Sequence, residues 1–162
     1  MSPRVYPQLP LVLASFLIIG LLIYGMRKRR KKNPIAQNFD LSEFDAENAP
    51  EQVKKNITEL VKNVLQPLRD GLKNPVKITS GYRDAAKNEE VGGVKDSQHI
   101  TGNAADIAVM NKSLEQIFNY IIANLPFDVL ILYKPGARGY KYGGIHVSYK
   151  QNPRYITKIK TQ

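Results

Sequence analysis

The sequence predicts an α+β domain behind an N-terminal transmembrane helix, and three observations carry that reading. An uncharged stretch from Val5 to Met26 ends abruptly at Arg27-Lys28-Arg29-Arg30-Lys31-Lys32. Beyond it, segments with three- and four-residue apolar periodicity alternate with short β-prone runs and short turns, the pattern of interleaved helices and strands. The chain has 162 residues, room for one compact domain besides the span. Its formal charge of +10 is local: residues 1–32 hold seven basic side chains and no acid, whereas the other 130 carry 17 basic and 14 acidic ones. The whole domain therefore cannot be read as a nucleic-acid binder on the strength of its charge. Cysteine is absent, which removes disulfides and thiolate metal sites.

Residues 5–26 are long enough to cross a hydrocarbon core as a helix, for which about 20 apolar residues suffice. A soluble core helix would keep a polar face, and this stretch has none. A cleavable signal peptide fits less well, since the leading region holds one Arg and no Ala-x-Ala site precedes the basic run. Residues 1–32 are thus read as a retained anchor in the lipid bilayer. The excess of Lys and Arg after the span favours a domain on the cytoplasmic side, or inside a membrane-bounded particle. Arg27–Lys32 also fits lipid headgroups, and ranks lower as a nucleic-acid contact.

Residues 33–38 read as a linker and 39–162 as the domain. After Pro50, the positions Val53, Ile57, Leu60, Val61, Val64, Leu65 and Leu68 form one apolar stripe of an amphipathic helix; Pro67 bends its last turn and Gly71 ends it. Val76–Thr79 is β-prone. Asp84 caps a short helix that Gly92-Gly93 breaks. Ala104–Met110 reads as a buried strand. Ser113 caps a second amphipathic helix through Leu114, Ile117, Ile121, Ile122 and Leu125. Val129–Tyr133 and Ile145–Tyr149 read as strands around a Gly-rich loop, and Tyr155–Ile159 as a last edge strand.

Both histidines lie in polar, Gly-containing contexts: His99 within Ser97-Gln98-His99-Ile100-Thr101-Gly102-Asn103-Ala104-Ala105-Asp106, and His146 within Gly143-Gly144-Ile145-His146-Val147. A carboxylate inside an apolar strand is costly unless partnered, which marks Asp106. Two imidazoles and one carboxylate make three N/O ligands, a set that leaves the fourth tetrahedral position of zinc open.

These segments, with Ser80-Gly81-Tyr82-Arg83, resemble the zinc D-alanyl-D-alanine carboxypeptidase family, which includes phage L-alanyl-D-glutamate endopeptidases and the hedgehog zinc domain. Phe39–Phe44, Val64–Arg69, Val91-Gly92-Gly93 and Phe127-Asp128 are similar to its short phage-type members, so the resemblance covers about residues 38–160. It implies a small antiparallel sheet with flanking helices. It implies Zn²⁺ on His99, Asp106 and His146, Arg83 as the group that holds the substrate carbonyl, and Ser97 as a substrate or supporting hydrogen-bond partner. The implied activity is hydrolysis of a peptidoglycan stem-peptide bond involving a D-amino acid, in phage or prophage entry or lysis, at the bacterial inner membrane or a virion membrane.

One departure matters. Several members place Glu three residues, or His two residues, before the last His ligand; here these positions are Gly143 and Gly144. Where related phage members carry a Glu, this chain has Tyr133. Asp128 and Tyr133 are therefore the candidates for proton transfer. The alternative reading is a catalytically inactive zinc domain that recognises a wall peptide or a protein partner. The anchor has a direct test: the full chain should partition with membranes, and removal of residues 1–32 should release it to the soluble fraction.

Overall fold

The structure, a computed structural model, describes residues 34–137 and 139–161. The expected span 5–26 and the basic run Arg27–Lys32 lie outside the described residues, among which no helix is long and apolar enough to cross a membrane.

The stretch expected to be a linker holds a strand. Pro34–Ala36 (β1) pairs antiparallel with Phe39–Asp40 (β2), and Phe39 is buried in the core. So short a pairing leaves no alternation to read in the sequence. Asp40 then caps a 3₁₀ turn, Leu41–Phe44: its Oδ1 accepts from Ser42 N at 2.9 Å, and Glu43 Oε1 accepts from Asp40 N at 3.0 Å. This reciprocal cap satisfies donors at the start of the turn and turns Leu41 and Phe44 inward.

The long periodic stretch forms α1 (Glu51–Leu60), a π turn (Val61–Leu65) and α2 (Gln66–Leu72). Every residue of the expected apolar stripe is buried. The effect expected of Pro67 takes the form of that π turn. Proline has no N–H for the carbonyl four residues back and crowds it, and a wider turn accommodates the misfit. The helix runs past Gly71 and ends at Lys73, which supplies the left-handed conformation at φ 52°.

The main sheet comprises β3 (Val76–Ser80), β4 (Ala104–Val109), β5 (Val129–Tyr133), β6 (Gly144–Ser148) and β7 (Ile156–Lys160), in the order β3-β4-β6-β5-β7. Four strands are antiparallel as expected, but β7 runs parallel to β5. β6 ends beside the start of β5, and the short connection 149–155 brings the chain back at that same end. There Ile156 N donates to Asp128 O.

One sheet face carries Ala105, Ile107, Leu130, Leu132, Ile145 and Val147 into a single apolar cluster with the helices. Asp84 caps α3 (Ala85–Glu90), and Ser113 caps α4 (Leu114–Asn124), which packs on β5 and β6. Phe118 is buried in α4, whereas Ile122, expected in the stripe, is 46% exposed. The opposite sheet face is left for chemistry. Leu65, fully buried in the π turn, tests this core. Leu65→Ala should lower the unfolding free energy by about 2–5 kcal/mol in urea denaturation.

Candidate metal centre

The β4–β6 register sets Asp106 directly opposite His146. Both side chains belong to the sheet face away from the core. His99 arrives from the turn before β4, which is held by Ile100 N donating to Ser97 O and Asn103 N donating to Gln98 O. His99 Nδ1 lies 2.7 Å from the Gly81 carbonyl oxygen. A carbonyl only accepts, so Nδ1 carries the proton and the Nε2 lone pair is left to face the site, the usual way a ligating imidazole is oriented. That Nε2 stands 3.2 Å from His146 Nδ1 and 3.4 Å from Asp106 Oδ1, and His146 Nδ1 is 3.0 Å from the same oxygen. The ligand atoms of the three residues lie within 4.8 Å of one another.

The other carboxylate oxygen is already engaged. Asp106 Oδ2 accepts from Arg83 Nη2 at 3.2 Å and from the Tyr140 hydroxyl at 3.0 Å, leaving Oδ1 turned towards the two imidazoles. Arg83 is fixed further by Ser80, whose Oγ accepts from its Nε at 3.0 Å and Nη2 at 2.8 Å. A register shift between Ile78 and Ser80 puts Ser80 opposite Asp106. An extra residue in one strand moves the following side chains to the other face; without it Ser80 would point into the core. Gly81 follows because the chain passes hard against the 3₁₀ turn: a Cβ there would sit 2.4 Å from Phe44 Cα.

Burial alone would raise the Asp106 carboxyl, but its close contacts with His146 and His99 hold it well below the usual carboxylate range. Burial and then the nearby Asp106 charge push the Tyr133 phenol upward. The same two influences, with the hydrogen bond to Asp106, push Tyr140 up strongly. The two rings stack with centroids 3.9 Å apart. Both phenols therefore keep their protons at neutral pH, and Tyr140 donates its own to Asp106. Tyr140 had no signal in the sequence beyond lying in a Gly-rich loop. The structure also accounts for Gly144, since a Cβ there would meet the Tyr140 ring at 2.6 Å; the aromatic ring fills that space.

Ser97 lines the same cleft, and its hydroxyl is 3.4 Å from His99 N. Asp128 does not line it. Its carboxylate is fully buried and accepts from Arg154 Nε at 2.8 Å, Arg154 Nη2 at 2.7 Å, Arg154 N at 3.1 Å and Gln98 Nε2 at 2.8 Å. Expected as a proton carrier, it instead ties the loop before β7 to the turn that carries His99. The Arg154 hydrogen bond holds its carboxyl down at about 2 against the opposing effect of burial, aided by Arg154 N–H, Gln98 and the Arg154 charge.

The site opens into a cleft of about 1200 Å³ lined by Arg83, Ser97, His99, Asp106, Tyr133, Tyr140 and His146. Residues 37–137 match the Peptidase M15 family. The chain belongs to that family. No match is found among curated proteins. The matched span contains Arg83, His99 and Asp106 but stops short of His146, which the strand register supplies independently. Members of the family are zinc-dependent, and the His-Asp-His group suits that metal. Three buried N/O donors match a catalytic zinc site with one position left open, rather than the closed four-ligand site of structural zinc.

Two outcomes follow. His146→Ala should leave the purified chain with well under one zinc per molecule by elemental analysis, because one imidazole and one carboxylate remain. The second concerns Asp128, whose folded carboxyl titrates below its unfolded value. It adds stability above about pH 4, and that contribution disappears as pH falls towards about 2. In chelator, where zinc loss plays no part, Asp128→Asn should flatten the acid side of the stability profile measured by thermal unfolding.

Proposed function

We propose that the protein is a membrane-anchored zinc peptidase that hydrolyses a peptidoglycan stem-peptide bond involving a D-amino acid. The observation that carries this reading is the convergence of His99, Asp106 and His146 with Arg83 at the floor of one open cleft. Zinc held by those three residues would polarise a peptide carbonyl and acidify water. Arg83 stays charged throughout the working pH range and presents its donors in a rigid fork. One edge of that fork is spent on Ser80 and Asp106, which aims the guanidinium rather than leaving it to wander in solvent. In that position it serves the carbonyl oxygen of the scissile bond as negative charge develops. Tyr140 holds Asp106 in its ligating orientation, and Ser97 both braces the His99 turn and faces the bound peptide.

Proton acceptance falls outside the two phenols, which remain protonated, and outside Asp128, whose oxygens are all engaged. The second carboxylate lining the cleft is Asp96, which has no ion-pair partner among the described residues. In this reading it takes the proton at the rim, in the part a Glu plays elsewhere in the family.

In this reading residues 1–32 anchor the domain, and the basic flank favours the cytoplasmic or particle-interior side. Stem peptides lie outside the cytoplasmic membrane. A virion carrying its own lipid layer reconciles the two, which supports a role in phage entry or lysis.

A second reading is favoured by one feature: Tyr133 stands where related members have Glu, and its raised phenol cannot replace a carboxylate base. The domain would then be a zinc-dependent reader of wall peptide without turnover. Incubation of the zinc-loaded chain with purified peptidoglycan separates the two. New amine ends by mass spectrometry establish the peptidase, and their absence with one zinc per chain establishes the reader. If it is a peptidase, Arg83→Ala should keep zinc and lose about 10²–10³ in kcat, the scale of removing one oxyanion donor. Asp96→Asn should likewise keep zinc and lose turnover.

A further inference from the structure

The cleft does not end at the metal centre. Across the sheet, the pairings set Ser80, Asp106, His146, Ile131 and Lys158 in one transverse row, with Tyr133 and Lys160 in the next. Lys158 and Lys160 share the face of the metal ligands and line the same cleft, and Lys150, from the segment after β6, joins them. The Lys160 ammonium lies 5.6 Å from the Tyr133 ring centroid, which seats it beside the Tyr133–Tyr140 stack. None of these three lysines has an acidic partner among the described residues. Arg154, also in the cleft, is committed to Asp128. Asp106 faces Arg83 and the imidazoles, so Asp96 is the one other carboxylate lining the cleft.

Lysines on an edge strand often serve simply to discourage pairing with another chain. That role does not require them to share one face, and it does not account for Lys150, which lies outside β7. Convergence of three unpaired cations from two segments on the wall of a peptidase cleft points instead to an anionic ligand.

We propose that Lys150, Lys158 and Lys160 form a carboxylate-binding subsite, which makes the preferred ligand an acidic peptide. Lys158 lies two strands from His146, about 10 Å at the usual inter-strand spacing, so the recognised carboxylate sits within about three residues of the scissile bond in an extended peptide. A buried neutral pocket would select by shape, whereas this open cationic wall selects by charge and weakens with salt. The proposal names the ligand class of the site described above and rests on the peptide-cleft reading, though not on turnover.

The test uses the full zinc-loaded chain and two synthetic stem peptides, one with free side carboxylates and one with those groups as carboxamides. Binding is followed by calorimetry and cleavage by mass spectrometry. The unaltered chain should bind the carboxylate form about tenfold more tightly, with the preference shrinking as salt rises. The double variant Lys158→Gln/Lys160→Gln should lose that preference while retaining one zinc per chain; Lys55→Gln, an exposed lysine on α1 outside the cleft, should retain it. Equal binding of the two peptides by the unaltered chain overturns the proposal, as does equal weakening of both in the double variant. Displacement of the peptide by a phosphate polymer at the same charge concentration would overturn it in favour of a general polyanion surface. If carboxylate-dependent binding is seen without cleavage, the subsite stands and the peptidase reading fails; cleavage indifferent to the carboxylate gives the reverse.

Discussion

Asp106 is an ionised carboxylate 4% exposed, in the middle of a central strand. Such a group is tolerable only if its charge is matched and its oxygens are hydrogen-bonded. The surrounding architecture meets both demands. One oxygen is held by Arg83 and Tyr140, the other looks onto two imidazoles, and each of these partners is positioned by a different piece of chain. Arg83 depends on the β3 bulge and Ser80, His99 on the Gly81 carbonyl, His146 on the β6 register, and Tyr140 on its stack with Tyr133. The fold can be viewed as the set of constraints that brings these groups to one carboxylate.

That arrangement divides the sheet by function. The apolar face is continuous with the helices, so the strands are rigidly seated, and close-packed cores resist small displacements. The polar face is then free to hold charged groups at fixed spacing, with the metal ligands near its centre and lysines towards the β7 edge. The parallel placement of β7 matters for this reason. It sets Lys158 beside Ile131 and Lys160 beside Tyr133, and so extends the chemical face beyond the metal.

Asp128 shows how a family feature can be kept for architecture rather than chemistry. Its four hydrogen bonds join β5, the turn preceding β4 and the loop entering β7. Proton transfer at such a residue would break the contacts that hold the His99 turn in place. An exposed carboxylate at the rim is free of that conflict, because gaining a proton there disturbs no packing.

Local pattern was enough for much of this. The apolar stripe from Val53 to Leu68, the caps Asp84 and Ser113, the strand Val129–Tyr133 and the motif ligands His99, Asp106 and His146 were legible because periodicity, capping and ligand chemistry act over a few residues. Tertiary structure alone decided the rest. The β1–β2 ribbon, the parallel course of β7 and the exposure of Ile122 depend on what lies across space, and short-range pattern does not encode it. Arg83 could be nominated from its motif, yet its aim came from a one-residue bulge. Tyr140 and Asp96 carried no motif at all, and Asp128 looked the same on paper whether it moved protons or held Arg154. Residue types and their spacing determined that this chain can bind a metal. Strand register determined which atoms meet there and which charges surround them, because pairing sets positions to within one side chain and a slip of one residue reverses every face.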